Sequence, residues 1–488
     1  MKKKISKNYK IQNKPFINGL FYKGKIKKSI KRISPSSSYK LPNLYICEEK
    51  EVNLAIQTAK DSFQQGVWKN YSANRKKKIF FKAANLIKKE IKEISLIDCL
   101  ETGRSIINFE RDSLPKAIEV IRYFAESLDK IYDLMKPLDI NSMGLITKQP
   151  LGVVTSLTAW NDPLVPAMWK ACPAILMGNS IVMKPSELSS FSLLRVAELF
   201  SKAGLPDGVM NVVTGDSTTG KKLVIHKDIE GVFFTGSTKT GVKISKLAYS
   251  KNKIKKISLE CGGKSCFIVS EKCTKIKEAA RVLAKNIFYN QGQTCSAPSR
   301  LIINKNIKKK FLGYLFEETK KFIPKDPLHY KSEVGGLVSK NNYNKVKKFF
   351  KIGIKEKNKY KTFNQQIWKN KYAFPPTIFY DVKKNSTLLK EEIFGPILAC
   401  IEYKDNKEAI KLANDNNYGL ASAIWSDDFY EIHNFINKID SGIVHINSYG
   451  EDDNSIPFGG IKNSGNGKDK SILAFNEYTY LKSIYFQK

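Results

Sequence analysis

The chain has 488 residues, 42% hydrophobic and 11% aromatic, more than one simple core uses and enough to fill two or three domains, so a largely disordered chain is excluded. Its formal charge of +37 invites a nucleic-acid or anionic-membrane reading. The cations are almost all lysine, however, with arginines such as Arg75, Arg104 and Arg300 scarce and lysine, isoleucine and asparagine abundant together, whereas base-edge and bidentate phosphate recognition favour arginine. The charge therefore reads as compositional drift on solvated faces, and no nucleic-acid or membrane partner is expected.

Met1 to Lys14 is basic but has no apolar core segment, so it does not read as a secretory signal. Residues 51–100 predict helices, with Val52, Ala55, Ile56, Ala59 and Phe63, then Ile79, Ala83, Leu86, Ile87 and Ile91, at helical spacing. Asp129–Lys148 alternates and predicts edge strands seeking a partner chain. From residue 150 short strands alternate with helices. Strands are expected at Gly152–Ala159, Ser180–Met183, Val209–Val213, Gly231–Thr235 and Lys256–Leu259, with helices at Pro163–Met177 and about Ser190–Lys202. Such alternation implies a parallel, doubly wound sheet whose ligands sit at the carboxyl ends of the strands. A second lobe follows, with strands at Ser265–Val269, Ser299–Ile303, Phe374–Phe379, Ile397–Tyr403 and Gly442–Ile446 and a helix over about Lys275–Tyr289. Phe475–Lys488 is a further candidate edge strand. No apolar run reaches the ~18 residues that span a bilayer.

The eight cysteines form no CxxC pair, and His226, His329, His433 and His445 lie far apart. Neither a metal site nor a disulfide framework is expected, and a reducing, cytoplasmic setting fits. Three segments could carry chemistry. Asn290–Ala297 puts Cys295 in a loop of small and polar residues after a helix. A thiolate there would be a nucleophile for a carbonyl, although a cysteine can equally be a small buried hydrophobe. Leu259–Ser265 puts Glu260 at a strand end beside Gly262 and Gly263, where it could activate water or be a solvated charge. Phe233–Gly241 is a strand, a glycine turn and a helix start, able to seat a phosphate or to be an ordinary connection; it matches neither GxGxxG nor a P-loop.

Together these pieces resemble the aldehyde dehydrogenase family. Matching segments run from about residue 15 to 485: Thr158–Asn161, Met183–Glu187, Phe234–Ser237, Leu259–Lys264, Gly292–Cys295, Glu391–Pro396 and Pro457–Gly460, in the family's order. The resemblance implies an α/β fold with a Rossmann-variant NAD-binding domain (1–128 and 150–259), an α/β catalytic domain (260–463) and a small β oligomerisation or bridging element (129–149 and 464–488). It implies that Cys295 attacks an aldehyde, with the Asn161 amide and the Cys295 N–H as oxyanion donors. Glu260 would activate the water that hydrolyses the thioester, and Lys170 would relay protons. For NAD it implies Lys184 and Glu187 at the adenosine ribose, Gly236 and Ser237 at the pyrophosphate, Glu392 at the nicotinamide ribose, and Phe394 and Trp160 beside the cofactor. Glu187 would repel a 2′-phosphate. A homodimer or homotetramer is implied, joined through the two edge segments.

Departures from the family pattern are Ala159 where proline usually precedes Trp160, Asp162 in place of an aromatic, and Tyr480 where a relay glutamate is expected. The loop Asn447–Phe458 and the segment Ser464–Ser471 most resemble γ-glutamyl-γ-aminobutyraldehyde dehydrogenases of polyamine breakdown. That likeness points to Asp162, Asp452 (or its neighbours Glu451 and Asp453) and Phe458 as substrate residues, with carboxylates attracting an amine-bearing aldehyde. A general aliphatic aldehyde is the alternative. Glu260 argues against CoA- or phosphate-dependent release.

Overall fold

The computed structural model describes residues 11–37, 39–365, 367–368, 372–450 and 453–487. Its first sheet runs in the order Lys256–Glu260, Gly231–Thr235, Val153–Leu157, Ser180–Lys184, Met210–Val212, all parallel. The short strands Phe16–Ile17 and Leu20–Phe21 extend it antiparallel. Both faces are covered: Val154, Ile181 and Phe233 enter one apolar cluster, whereas Val153, Val182 and Val232 enter another. That double burial is why these strands are near-continuous apolar runs. After Met210–Val212 the chain crosses back to the other side of Val153–Leu157. The carboxyl ends there open a crevice at a topological switch point.

The second sheet has the order Lys359–Thr362, Thr377–Tyr380, Ile397–Tyr403, Arg300–Asn304, Cys266–Val269, Ala421–Trp425, Ile443–Ile446, parallel except for the first pair. A third, antiparallel sheet joins Leu134–Asp139, Ser142–Pro150 and Thr479–Gln487. Its outer strand Leu134–Asp139 is exposed throughout, with Leu134 at 62% and Met135 at 66%. The α/β architecture is the expected one. Among the described residues no helix is long and apolar enough to cross a membrane.

Several boundaries move. The strand expected from Phe374 starts at Thr377, because Pro375 and Pro376 have no N–H to give a ladder. The helix expected from Pro163 begins at Val165, and Phe475 belongs to a buried turn preceding Thr479–Gln487. Several elements had no sequence expectation, among them the hairpin strands Ser29–Ile33 and Lys40–Tyr45, the run Ile106–Ser127, which contains a π-turn at Phe109–Ser113, the helices Lys308–Thr319 and Lys340–Lys355, and the strand Ala421–Trp425.

The segment after Phe458 crosses the carboxyl end of Lys256–Glu260. Cys261 N–H donates to Ser464 O at 2.9 Å, and the amides of Asn466 and Gly467 both donate to Leu259 O at 3.0 Å. Gly465 sits at φ +118°, and a Cβ there would stand 2.0 Å from Leu259 O, so only glycine permits this crossing.

Candidate active site

The helix Ile276–Phe288 ends in a tight reversal, with Gln291 at φ +53° and Gly292 at φ +65°. Side-chain amides lock the loop that follows. Gln291 exchanges hydrogen bonds with the Phe374 backbone at 3.0 and 3.3 Å. Gln293 Oε1 accepts from Val338 N–H at 3.0 Å and from Asn342 at 2.9 Å. Asn290 Nδ2 donates to Asn161 O at 3.1 Å, tying the loop to the Trp160–Asn161 turn. Cys295 stands at the centre, the one cysteine of the eight that keeps solvent access. Burial, with Glu260 and Glu392 adding negative charge, pushes its thiol up to about 12. At neutral pH it is a protonated thiol that needs a base. Gly262 and Gly263 allow the close packing: a Cβ on Gly262 would lie 2.5 Å from Glu392 Oε1, and one on Gly263 2.5 Å from Cys295 O.

Glu260, at 3% exposure, ends its strand inside the same cavity, and neither of its carboxylate oxygens has a hydrogen-bond partner among the described residues. Burial and the nearby Asp469 carboxylate raise its proton affinity well above the ordinary carboxylate range, while Lys170 pulls it back. Lys170 Nζ donates to both Asp469 oxygens at 2.8 and 3.0 Å, both side chains buried. Tyr480, where the resemblance expects a relay glutamate, is 53% exposed on the strand Thr479–Gln487, and the acidic partner of Lys170 is Asp469, delivered by the crossing segment. Asp469 lies within the segment Ser464–Ser471 already singled out from sequence, but its pairing with Lys170 is a long-range contact with no local signature.

A cavity of about 1680 Å³ runs from Lys184 and Glu187, past Gly236 and Ser237, to Glu392, Phe394 and Cys295, and on to Asp162, Asp453 and Phe458. Gly236 and Ser237 end Gly231–Thr235 and begin the helix Thr238–Ala248, capped by Ser237 accepting from Thr240 N–H at 3.3 Å. The open amides of that helix start suit a pyrophosphate. Lys184 is buried, donates to Pro185 O at 2.9 Å and lies 3.9 Å from the Glu187 carboxylate. Glu392 accepts from Gly263 N–H at 3.0 Å. Trp160 and Phe394 meet edge to face with centroids 5.4 Å apart, Phe394 at φ +56°, a strained backbone of the kind kept at functional sites. This elongated cleft, with carboxylates at both ends and helix amides between, fits a dinucleotide.

At the substrate end Trp169 and Phe458 form an aromatic wall, centroids 5.2 Å apart. Asp162 does line the cavity, but it is committed: Arg104 donates to it at 3.0 Å, and Ser113 Oγ also donates to it. Arg104 also reaches Tyr289 OH at 3.4 Å, Tyr289 donates to Asp112, and Arg111 joins Asp112 to Glu333. Asp162, expected as a substrate residue, thus lines the cavity as one member of an ion-pair network. Its charge is countered by a buried guanidinium that Tyr289 and Asp162 hold above its ordinary range against the opposing effect of burial. Asp453 lines the cavity, whereas Asp452 and Glu451 lie outside the described residues. Arg104, Asp112, Ser113 and Tyr289 were not found from sequence.

The aldehyde dehydrogenase family model matches residues 21–484. The chain is 36% identical to the NADP/NAD-dependent aldehyde dehydrogenase PuuC of Escherichia coli, covering 97% of this chain and 96% of that protein. It is 34% identical to an aminoacetaldehyde dehydrogenase of Pseudomonas aeruginosa, covering 99% and 97%. The solved γ-glutamyl-γ-aminobutyraldehyde dehydrogenase of Burkholderia cenocepacia superposes with a TM-score of 0.95 at 35% identity, covering 98% of this chain and 97% of that one.

Proposed function

The chain belongs to the aldehyde dehydrogenase family, and from that premise we propose that it oxidises an ω-amino or γ-glutamylamino aldehyde to the carboxylic acid with NAD. Nicotinamide-dependent aldehyde oxidation is the coarser activity its relatives carry. The observation that carries the site assignment is Glu260, a buried carboxylate without hydrogen-bond partners among the described residues, in one cavity with the protonated thiol of Cys295.

A carboxylate with raised proton affinity takes the thiol proton more readily than an ordinary one. Cys295 Sγ then bonds to the aldehyde carbon, and the carbonyl oxygen becomes an oxyanion. The Asn161 amide and the Cys295 N–H would donate to it, each such donor worth about 3–4 kcal/mol in the transition state. Oxidation of this thiohemiacetal needs a hydride acceptor, which the nicotinamide supplies when bound. Lys184 and Glu187 would hold the adenosine ribose, Gly236 and Ser237 the pyrophosphate, Glu392 the second ribose, and Trp160 and Phe394 the region beside the ring. The product is a thioester on Cys295. Once the first proton has passed from Glu260 to solvent, Glu260 draws a proton from water, the hydroxyl oxygen bonds to the acyl carbon, the C–S bond breaks to release the acid, and Glu260 returns its proton to the leaving thiolate, restoring the thiol. The Lys170–Asp469 pair sets the field at Glu260.

In this reading residues 1–128 with 150–259 form the cofactor domain and 260–463 the catalytic domain. The segments 129–149 and 464–488 bridge subunits of a homodimer or homotetramer. The exposed strand Leu134–Asp139 and the apolar surface of Leu481 (66%) and Tyr485 (77%) support such an interface. Eight free cysteines fit a reducing cytoplasm. The amino-aldehyde assignment draws on the relatives and on the Asp453 carboxylate at the cavity mouth. Its test is NADH formation with 4-aminobutanal, its γ-glutamyl conjugate and hexanal, with and without CoA. Preference for the amine-bearing aldehydes without CoA supports the proposal; turnover of hexanal alone removes the substrate assignment, and CoA dependence removes the hydrolytic role of Glu260.

A further inference from the structure

Residues 185–190 carry Glu187 between the strand Ser180–Lys184 and the helix Phe191–Ala203. Ser190, the residue before that helix, makes no side-chain cap. A carboxylate from another helix takes the first amides instead. Glu101, in Ile91–Thr102 and 1% exposed, accepts from Ser190 N–H at 3.0 Å and Phe191 N–H at 2.9 Å. From the hairpin strand Ser29–Ile33, Arg32 donates to the carbonyl of Glu187 and, at 2.7 Å, to that of Leu188. Arg32 is 8% exposed, and its guanidinium faces the Glu101 carboxylate at 3.9 Å.

The charges match the backbone they meet. Helix-end amides favour a carboxylate, and a planar guanidinium serves two neighbouring carbonyls as a single ammonium does not. The backbone groups of four residues, Glu187, Leu188, Ser190 and Phe191, are thus tied to two side chains brought from distant parts of the chain. Glu187 itself keeps its carboxylate 42% exposed and lines the cavity, whereas neither Arg32 nor Glu101 does.

We propose that Arg32 and Glu101 clamp the loop so that the Glu187 carboxylate stands ready for the adenosine ribose, which makes them positioning residues for cofactor affinity remote from the reacting atoms. The inference rests on Glu187 being the ribose acceptor. Removing the Arg32 fork lets the loop backbone shift, and the ribose loses its aligned acceptor while the nicotinamide end is untouched.

The test measures binding of NAD and of nicotinamide mononucleotide, which lacks the adenosine, by calorimetry, together with kcat at saturating NAD. The proteins are wild type, Arg32→Met, Arg32→Lys, Glu101→Gln, Glu187→Ala and the Arg32→Met/Glu187→Ala double variant. Arg32→Met and Glu101→Gln are expected to raise the NAD Kd about tenfold, the worth of one charge-assisted hydrogen bond, with mononucleotide binding and kcat unchanged. In the Glu187→Ala background Arg32→Met adds no further loss, because it acts through Glu187. Arg32→Lys keeps the charge opposite Glu101 and gives a smaller loss, and it carries the test should Arg32→Met not fold. Unchanged NAD affinity in the Arg32 variants, or an equal loss for the mononucleotide, overturns the clamp. So does full additivity with Glu187→Ala. If Glu187→Ala alone leaves NAD affinity intact, the ribose reading fails and takes the clamp with it, an outcome distinct from failure of Arg32 alone.

Discussion

The floor and the mouth of the cleft are built on opposite principles. At the floor, Glu260 is buried with no hydrogen-bond partner among the described residues, and Cys295 is a thiol whose proton is held tightly. At the mouth, Asp162, Arg104, Ser113, Tyr289, Asp112 and Arg111 are linked in a chain of ion pairs and hydrogen bonds. Charging a buried group that has no partner is costly, so its proton is held tightly and its ionised form is reactive; a paired network is stiff and shapes what enters. Reactivity here is kept by withholding partners, and shape by supplying them.

The contrast can be broken from either end. The largest effect belongs to Cys295→Ala: turnover falls by about four orders of magnitude or more, while calorimetric NAD binding persists. Glu260→Gln follows, with steady-state turnover down by about 10²–10⁴-fold and the stopped-flow NADH burst slowed as well, because the same carboxylate takes the thiol proton and activates the hydrolytic water. Asp469→Asn leaves Lys170 as an unpaired buried charge and costs about 3–5 kcal/mol of stability in chemical denaturation. It also removes the second cause of the raised Glu260 proton affinity, so the rising limb of the pH–rate profile moves to lower pH. In the wild type both reactive groups must lose protons held above their ordinary ranges. Iodoacetamide labelling of Cys295, followed by mass spectrometry, is therefore slow at pH 7 and accelerates steadily as pH rises. The smallest effect is at the mouth: Asp162→Asn changes KM for 4-aminobutanal by only about threefold, since Arg104 already counters its charge. A tenfold or greater rise would show Asp162 acting as a free carboxylate and dissolve the distinction between the two regions.

The same contrast governs what the sequence disclosed. The floor residues sit in short local motifs, so Cys295, Glu260, Asn161 and Glu392 were legible together with the strands that present them. The strands of the first sheet were legible as near-continuous apolar runs, because double burial leaves a strong local pattern. The mouth is assembled from residues far apart in the chain: Asp162 meets Ser113 across 49 positions and Arg104 meets Tyr289 across 185. No spacing rule joins them, and Asp112 and Ser113 lie on a π-turn that helical periodicity does not mark. Asp469 was missed for the same reason. Lysine-rich surface also blurred the amphipathic pattern of Lys308–Thr319 and Lys340–Lys355, whose exposed faces carry the drifted composition.

The crossing segment that brings Asp469 to Lys170 also sets a clock. The two residues are 299 positions apart, and at ~5–20 residues per second the ribosome needs roughly 15–60 s to travel from one codon to the other. Before that interval ends, the helix bearing Lys170 and the strand bearing Glu260 have both been made, yet the carboxylate that pairs with Lys170 has not. Under the proposed roles, a nascent chain therefore holds Cys295 and Glu260 before it holds the carboxylate that helps to raise the Glu260 proton affinity.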